Sequence, residues 1–161
     1  MHYYIINIIF FAFIFSNTQK IELEKLIEDA DNFFLLGNYQ EATKSYQFII
    51  KKSNKSQLYG YSVHAYNKLA RIQARKGINS IDEIYSIIDS SIFICRKYNI
   101  KKELVDALLI KSKAENNYSI NHSYYDSLAY VNNMEALSVS REINYNHGII
   151  LGNIFKAYRY I

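Results

Sequence analysis

Apolar positions between Ala30 and Ile49 recur at helical spacing. Ala30 and Phe33 lie three apart, and beyond Gly37 the positions Ala42, Tyr46 and Ile49 lie four and then three apart. Steps of three and four gather each set on one helical face, whereas a strand would alternate at every second residue. Gly37-Asn38-Tyr39 between the two sets predicts a tight turn. A small residue facing a large one at these spacings is what two antiparallel helices need in order to interlock. The pattern then returns. Ala70 has Leu69 before it and Gly77 after it; Ser112 ends Ala107-Leu108-Leu109-Ile110-Lys111-Ser112; Gly152 has Leu151 before it and Phe155 three residues on. These small positions fall about 40 residues apart, and a hairpin that recurs at a fixed interval predicts stacking, because one hairpin cannot bury its apolar face alone. The second helices agree: Ile84, Ile88 and Ser91, and then Ala129 and Ala136, repeat the step from Ala42 to Ile49. Extra length falls around Asn79-Ser80 and in the polar run from Asn116 to Ser123. Glu115 stands where a large apolar residue is expected.

The stretch Ala30 to Tyr46 resembles one tetratricopeptide repeat, through Ala30, Phe33, Gly37, Tyr39, Ala42 and Tyr46. The interval of about 40 is longer than the ~34 usual for that class. The resemblance implies an all-α solenoid of stacked antiparallel helical hairpins, about three and a half repeats long. The repeats span 22–54, 62–100 and 103–145, with a partial one at 146–161. Ala70, Gly77, Ala129, Ala136, Gly152 and Phe155 are the packing positions of the later repeats. The family pattern often closes the second helix with proline, and this chain has none. Asn54, Asn99 and Asn144 lie near those ends instead, and asparagine tolerates the left-handed cap conformation.

Such repeats hold other molecules and are rarely enzymes, so the resemblance implies a non-catalytic scaffold that binds a peptide or protein. The first helix of each hairpin lines the concave wall, and taking the small positions as packing residues fixes the wall-facing ones. They are His64, Asn67, Arg71 and Arg75 in the second repeat, Lys113 and Asn117 in the third, and Asn153 and Lys156 in the fourth. This cationic stripe interleaved with amides suits an acidic peptide. The last helix, carrying Ile149, Ile150, Ile154 and Phe155, is apolar on much of its circumference and offers a face for self-association.

Charge sharpens the picture. The net charge is +4, yet Glu22, Glu24, Glu28, Asp29, Asp31 and Glu41 make the first hairpin acidic, while Lys44 to Lys113 is strongly basic. That asymmetry points to an acidic partner or to head-to-tail contact between copies. The basic residues are dispersed through helices, and no nucleic-acid module is present, which argues against a nucleic-acid surface. The four histidines, His2, His64, His122 and His147, form no i, i+4 pair, and there is no Cys-x-x-Cys, so no metal site is expected. No nucleophile elbow and no phosphate-cradling glycine loop occurs. Neither cofactor nor catalysis is expected. The lone cysteine, Cys95, reads as a small buried apolar residue.

Tyr3 to Phe15 is an apolar run interrupted only by Asn7. At about 13 residues it is too short to span a bilayer but suits a signal-peptide core, with cleavage before Gln19. Residues 1–18 are accordingly expected to be a signal peptide, or else an uncleaved apolar anchor, with 19–161 as the repeat domain of an exported bacterial protein. Without a signal peptide the chain would be cytoplasmic. Two rival functions remain: the extracytoplasmic input region of a histidine kinase or transcriptional regulator, and a basic helical-repeat binder of nucleic acid.

Overall fold

The computed structural model describes residues 2–75, 81–119 and 123–158. Gly77 and the Asn79-Ser80 turn lie outside the described residues. The protein is all-α: seven helices and no strand occur among the described residues. They are α1 (His2–Leu35), α2 (Tyr39–Lys55), α3 (Tyr59–Arg75), α4 (Ile81–Tyr98), α5 (Lys101–Ser119), α6 (Ser123–Glu142) and α7 (Asn146–Tyr158). The chain divides into two compact units, Met1–Ala65 and Tyr66–Ile161, with the division falling inside α3.

In the first unit α1 runs unbroken for 34 residues, so the apolar run and the first hairpin's leading helix share one helix. It ends where the glycine rule says it should. Gly37 has φ +75, its N–H donates to the Phe34 carbonyl, and the Asn38 N–H donates to the Phe33 carbonyl at 2.9 Å. This pair of bonds is the Schellman closure, which satisfies carbonyls the helix leaves orphaned. Ala30, Ala42, Tyr46 and Ile49 are all fully buried between α1 and α2, and Phe33 and Tyr39 are half-buried at the edges. The Tyr46 hydroxyl, carried into this core, donates to Asp31 at 2.5 Å. Burial, followed by the Asp31 carboxylate, pushes its pKa far above the ordinary tyrosine value.

The Schellman closure recurs at three further helix ends with a non-glycine residue at the left-handed position. Gln57, Asn99 and Asn144 have φ of 58, 55 and 54. Behind them Leu58 donates to the Ser53 carbonyl at 2.9 Å, Ile100 to Cys95 at 2.9 Å and Tyr145 to Ser140 at 2.8 Å. Asn99 and Asn144 thus take the caps expected of them. Asn54 does not: α2 continues past it to Lys55, and Gln57 takes the left-handed position instead. In this register the residue after the left-handed one is apolar Leu58, whereas a stop at Asn54 would put Lys55 there, and an apolar residue is favoured at that place.

The second unit has a core of Leu69, Ala70, Ile72, Ile84, Ile88, Leu104, Val105, Leu108, Ala129, Ala136 and Leu137. Cys95 is buried among them and free, and burial above all raises its thiol to about 12. The helices are also tied by short polar side chains that reach main-chain carbonyls on a neighbour. Asn67 on α3 donates to the Glu103 carbonyl of α5 at 3.1 Å, and its side-chain oxygen accepts from Ser91 of α4 at 2.7 Å. Ser112 on α5 donates to Ala129 of α6 at 2.7 Å, and Asn133 on α6 to Gly152 of α7 at 3.0 Å. Ion pairs add exposed links, among them one in which Arg96 Nη2 donates to both Glu135 oxygens and one from Lys111 to Asp89 at 2.6 Å.

Glu115, expected at an apolar position, is fully buried. It accepts from the Tyr85 hydroxyl at 2.7 Å and from Asn132 at 3.0 and 2.7 Å, so α4, α5 and α6 meet at one carboxyl group. Burial is the largest influence on it and raises its pKa above the ordinary 4.5, opposed by those hydrogen bonds and by Lys111.

Two expectations follow. A left-handed non-glycine residue costs about 1 kcal/mol, so Gln57→Gly should stabilise the chain by about 0.5–1 kcal/mol in urea unfolding. For Glu115 the folded chain holds a proton more tightly than the unfolded chain. Its stabilisation is therefore complete below 4.5 and is lost as pH rises through the raised value. Glu115→Gln does not titrate, so its melting temperature should gain on that of the parent between acid and neutral pH. A constant gap would contradict the assignment.

Candidate functional site

A cavity of about 470 Å³ opens in the second unit between α3, α5 and α7. Each helix contributes residues at steps of three or four, hence from a single face. From α3 come Arg71, Ala74 and Arg75. From α5 come Leu109, Ile110, Lys113, Ala114, Asn116 and Asn117, and from α7 Leu151, Ile154 and Phe155. The apolar members and the cationic and amide ones together give an amphipathic lining with three positive charges. Among the described residues no carboxylate, histidine, cysteine or hydroxyl side chain lines it. The arrangement is suited to holding a ligand whose negative charge neighbours apolar surface.

α7 is held over this cavity by two glycines. A methyl group at Gly152 would meet Leu137 at 3.2 Å, and one at Gly148 would meet Ser140 Oγ at 2.2 Å and Val105 Cγ1 at 2.7 Å. Only bare backbone lets α7 come this near to α5 and α6. Tyr145 donates its hydroxyl to Asp106 at 3.2 Å. Burial and then Asp106 push Tyr145 up to about 12, while the Arg71 guanidinium acts in the opposite direction.

Of the eight groove residues expected from the sequence, the structure brings Arg71, Arg75, Lys113 and Asn117 together. Asn67 is buried and committed to Glu103 and Ser91. His64 belongs to the first unit, where its ring nitrogen faces both Asp31 oxygens at 3.2 Å. Asn153 is exposed and Lys156 half-buried on α7, and neither lines the cavity. Phe155, expected as a packing residue, lines it. The apolar floor of Leu109, Ile110, Leu151 and Ile154 is not marked by the spacing of the small residues. Its signal in the sequence is the wide apolar circumference of the last helix, which equally suits a face for self-association. Among the described residues no cluster of histidine, cysteine and carboxylate side chains could hold a metal ion. No protein-family model, curated protein or solved structure matches this chain.

The close approach at Gly148 yields a direct test. Helix propensity favours alanine by up to about 1 kcal/mol, less within the first turn where this residue sits. Overpacking against stiff, β-branched Val105 costs about 1–3 kcal/mol and prevails. Gly148→Ala should lower stability by about 1–2 kcal/mol in chemical denaturation.

Proposed function

We propose that this chain is a helical-repeat binding module of the tetratricopeptide type, a stack of antiparallel hairpins that holds an acidic peptide or protein segment and carries out no chemistry. The observation that carries this reading is which helices make the cavity. Among the described residues it is lined by α3, α5 and α7. On this reading these are the leading helices of three successive hairpins, and in a solenoid of this kind the leading helices form the concave wall. The complete burial of Ala30, Ala70 and Ser112, and the burial of Gly152, support a recurring inter-helix contact. So does the repeated Schellman turn after α2, α4 and α6, each time at the joint between one hairpin and the next.

The lining selects the ligand's chemistry. Arg71, Arg75 and Lys113 favour carboxylates through charge-assisted hydrogen bonds, and Asn117 offers donors and an acceptor to a peptide backbone. Leu109, Ile154 and Phe155 give apolar side chains a place to be buried. The favoured segment therefore carries Asp or Glu beside Leu or Phe. Export, or retention at a membrane through the apolar amino-terminal run, is the location this reading adopts.

Peptide libraries with acidic and large apolar residues in alternation, read by fluorescence anisotropy, test it. The selected peptide should bind less tightly as salt rises. Arg71→Ala with Arg75→Ala should weaken binding at least about a hundredfold while leaving the helical circular dichroism unchanged. Equal binding by the double variant would sink the groove assignment.

A further inference from the structure

A second surface, in the first unit, has its own chemistry. Lys51, Lys52 and Lys55 crowd the carboxyl end of α2, and with Phe48 and Gln19 of α1 they surround a shallow depression of about 650 Å³. Phe48 is 52% exposed, with the Lys52 ammonium 5.9 Å from its ring centre. Lys52 is paired to Glu22 of α1, whereas Lys51 and Lys55 point into solvent. Phe48 is one of several large apolar side chains left exposed, and three lysines share its surface.

Its position on α1 gives the patch meaning. α1 and α2 form an antiparallel hairpin closed at Gly37, and the Lys52–Glu22 pair fixes the level at which α2 ends. From Gln19 towards its amino end, α1 continues as one helix to His2. That extension covers about 25 Å at 1.5 Å per residue, and its sequence is the apolar run Tyr3 to Phe15. The run spans about 20 Å, enough to enter a bilayer but short of its ~30 Å hydrocarbon core. Among the described residues no helix is long and apolar enough to cross a membrane. With Lys52 level with Glu22, the lysines sit within about one to two helical turns of the end of the apolar run and Phe48 a turn farther away, so the lysines come to the depth of lipid headgroups if that run is immersed.

We propose that this end of the first hairpin is a docking surface for an anionic phospholipid bilayer. The apolar run of α1 enters the hydrocarbon without crossing it. Lys51 and Lys55 meet the phosphates, and Lys52 is held beside them by Glu22. Charge complementarity selects anionic over neutral lipid, because each lysine near such a surface adds a comparable increment of attraction. This inference is independent of the peptide cavity and uses none of its residues.

The test is flotation of the full chain, made by cell-free synthesis in the presence of preformed vesicles. Vesicles are either pure phosphatidylcholine or phosphatidylcholine with about a quarter phosphatidylglycerol. The chain should partition more strongly into the anionic vesicles, and the preference should fade in high salt. Lys51→Ser with Lys55→Ser should cut partitioning into anionic vesicles roughly thirtyfold and leave partitioning into neutral vesicles unchanged. Lys113→Ser, a cavity residue, should float as the parent does while weakening peptide capture, which separates failure of one proposal from failure of the other. Equal flotation of parent and double-serine variant on anionic vesicles would overturn the proposal. So would indifference of the parent to lipid charge.

Discussion

The second unit depends on short polar side chains that reach main-chain carbonyls across helix boundaries. Asn67, Ser112 and Asn133 each donate to a carbonyl on a neighbouring helix. Serine and asparagine reach only a few ångströms, so each bond exists only where two backbones lie unusually close. Closeness in turn needs small residues at the crossings, and Ala70, Ala107, Ser112, Ala129, Ala136 and Gly148 are buried there. Each donor would be left unsatisfied in the core if the helices parted, at about 1–3 kcal/mol per group. Polar satisfaction and close packing thus enforce one another. The cavity is a product of the same geometry, since α7 is drawn against α5 and α6 and leaves space over its other side.

Glu115 shows how one polar group can fix a register. Three helices contribute to its site, through Tyr85, Asn132 and Glu115 itself. Sliding any of them by one residue would strand a carboxyl group in apolar surroundings, and no apolar residue at that position would discriminate so sharply between right and wrong pairings. What looks like a flaw in the periodic pattern is a constraint on how the helices pair.

Much of the fold was legible because helical periodicity and small-residue spacing are local properties of a chain. Ala30, Ala42, Tyr46, Ala70, Ala129 and Ala136 proved to be core positions for the reason their spacing suggested. The turn at Gly37 was legible because glycine alone adopts its φ without strain. Gln57 was not, because nothing in the chemistry of glutamine marks it for a left-handed turn. Its role follows from the apolar residue, Leu58, that comes next. The candidate site was half legible. Arg71 and Arg75 share a helical face that any wheel reveals, and Lys113 and Asn117 do likewise. Asn67 lies on the same helix but a turn earlier, where α4 and α5 close over it, and periodicity does not report which turn is covered. His64 met a similar fate, held to Asp31 from another helix, a contact that no short-range pattern contains.

The joints after α2, α4 and α6 share one construction: a left-handed residue, then an apolar one whose N–H reaches back five positions. They recur about 40 residues apart, at the period of the hairpins. Because each closure is made within six consecutive residues, the point where a helix ends and the direction in which the chain leaves it are written locally, and substitutions elsewhere in the neighbouring helices leave them intact.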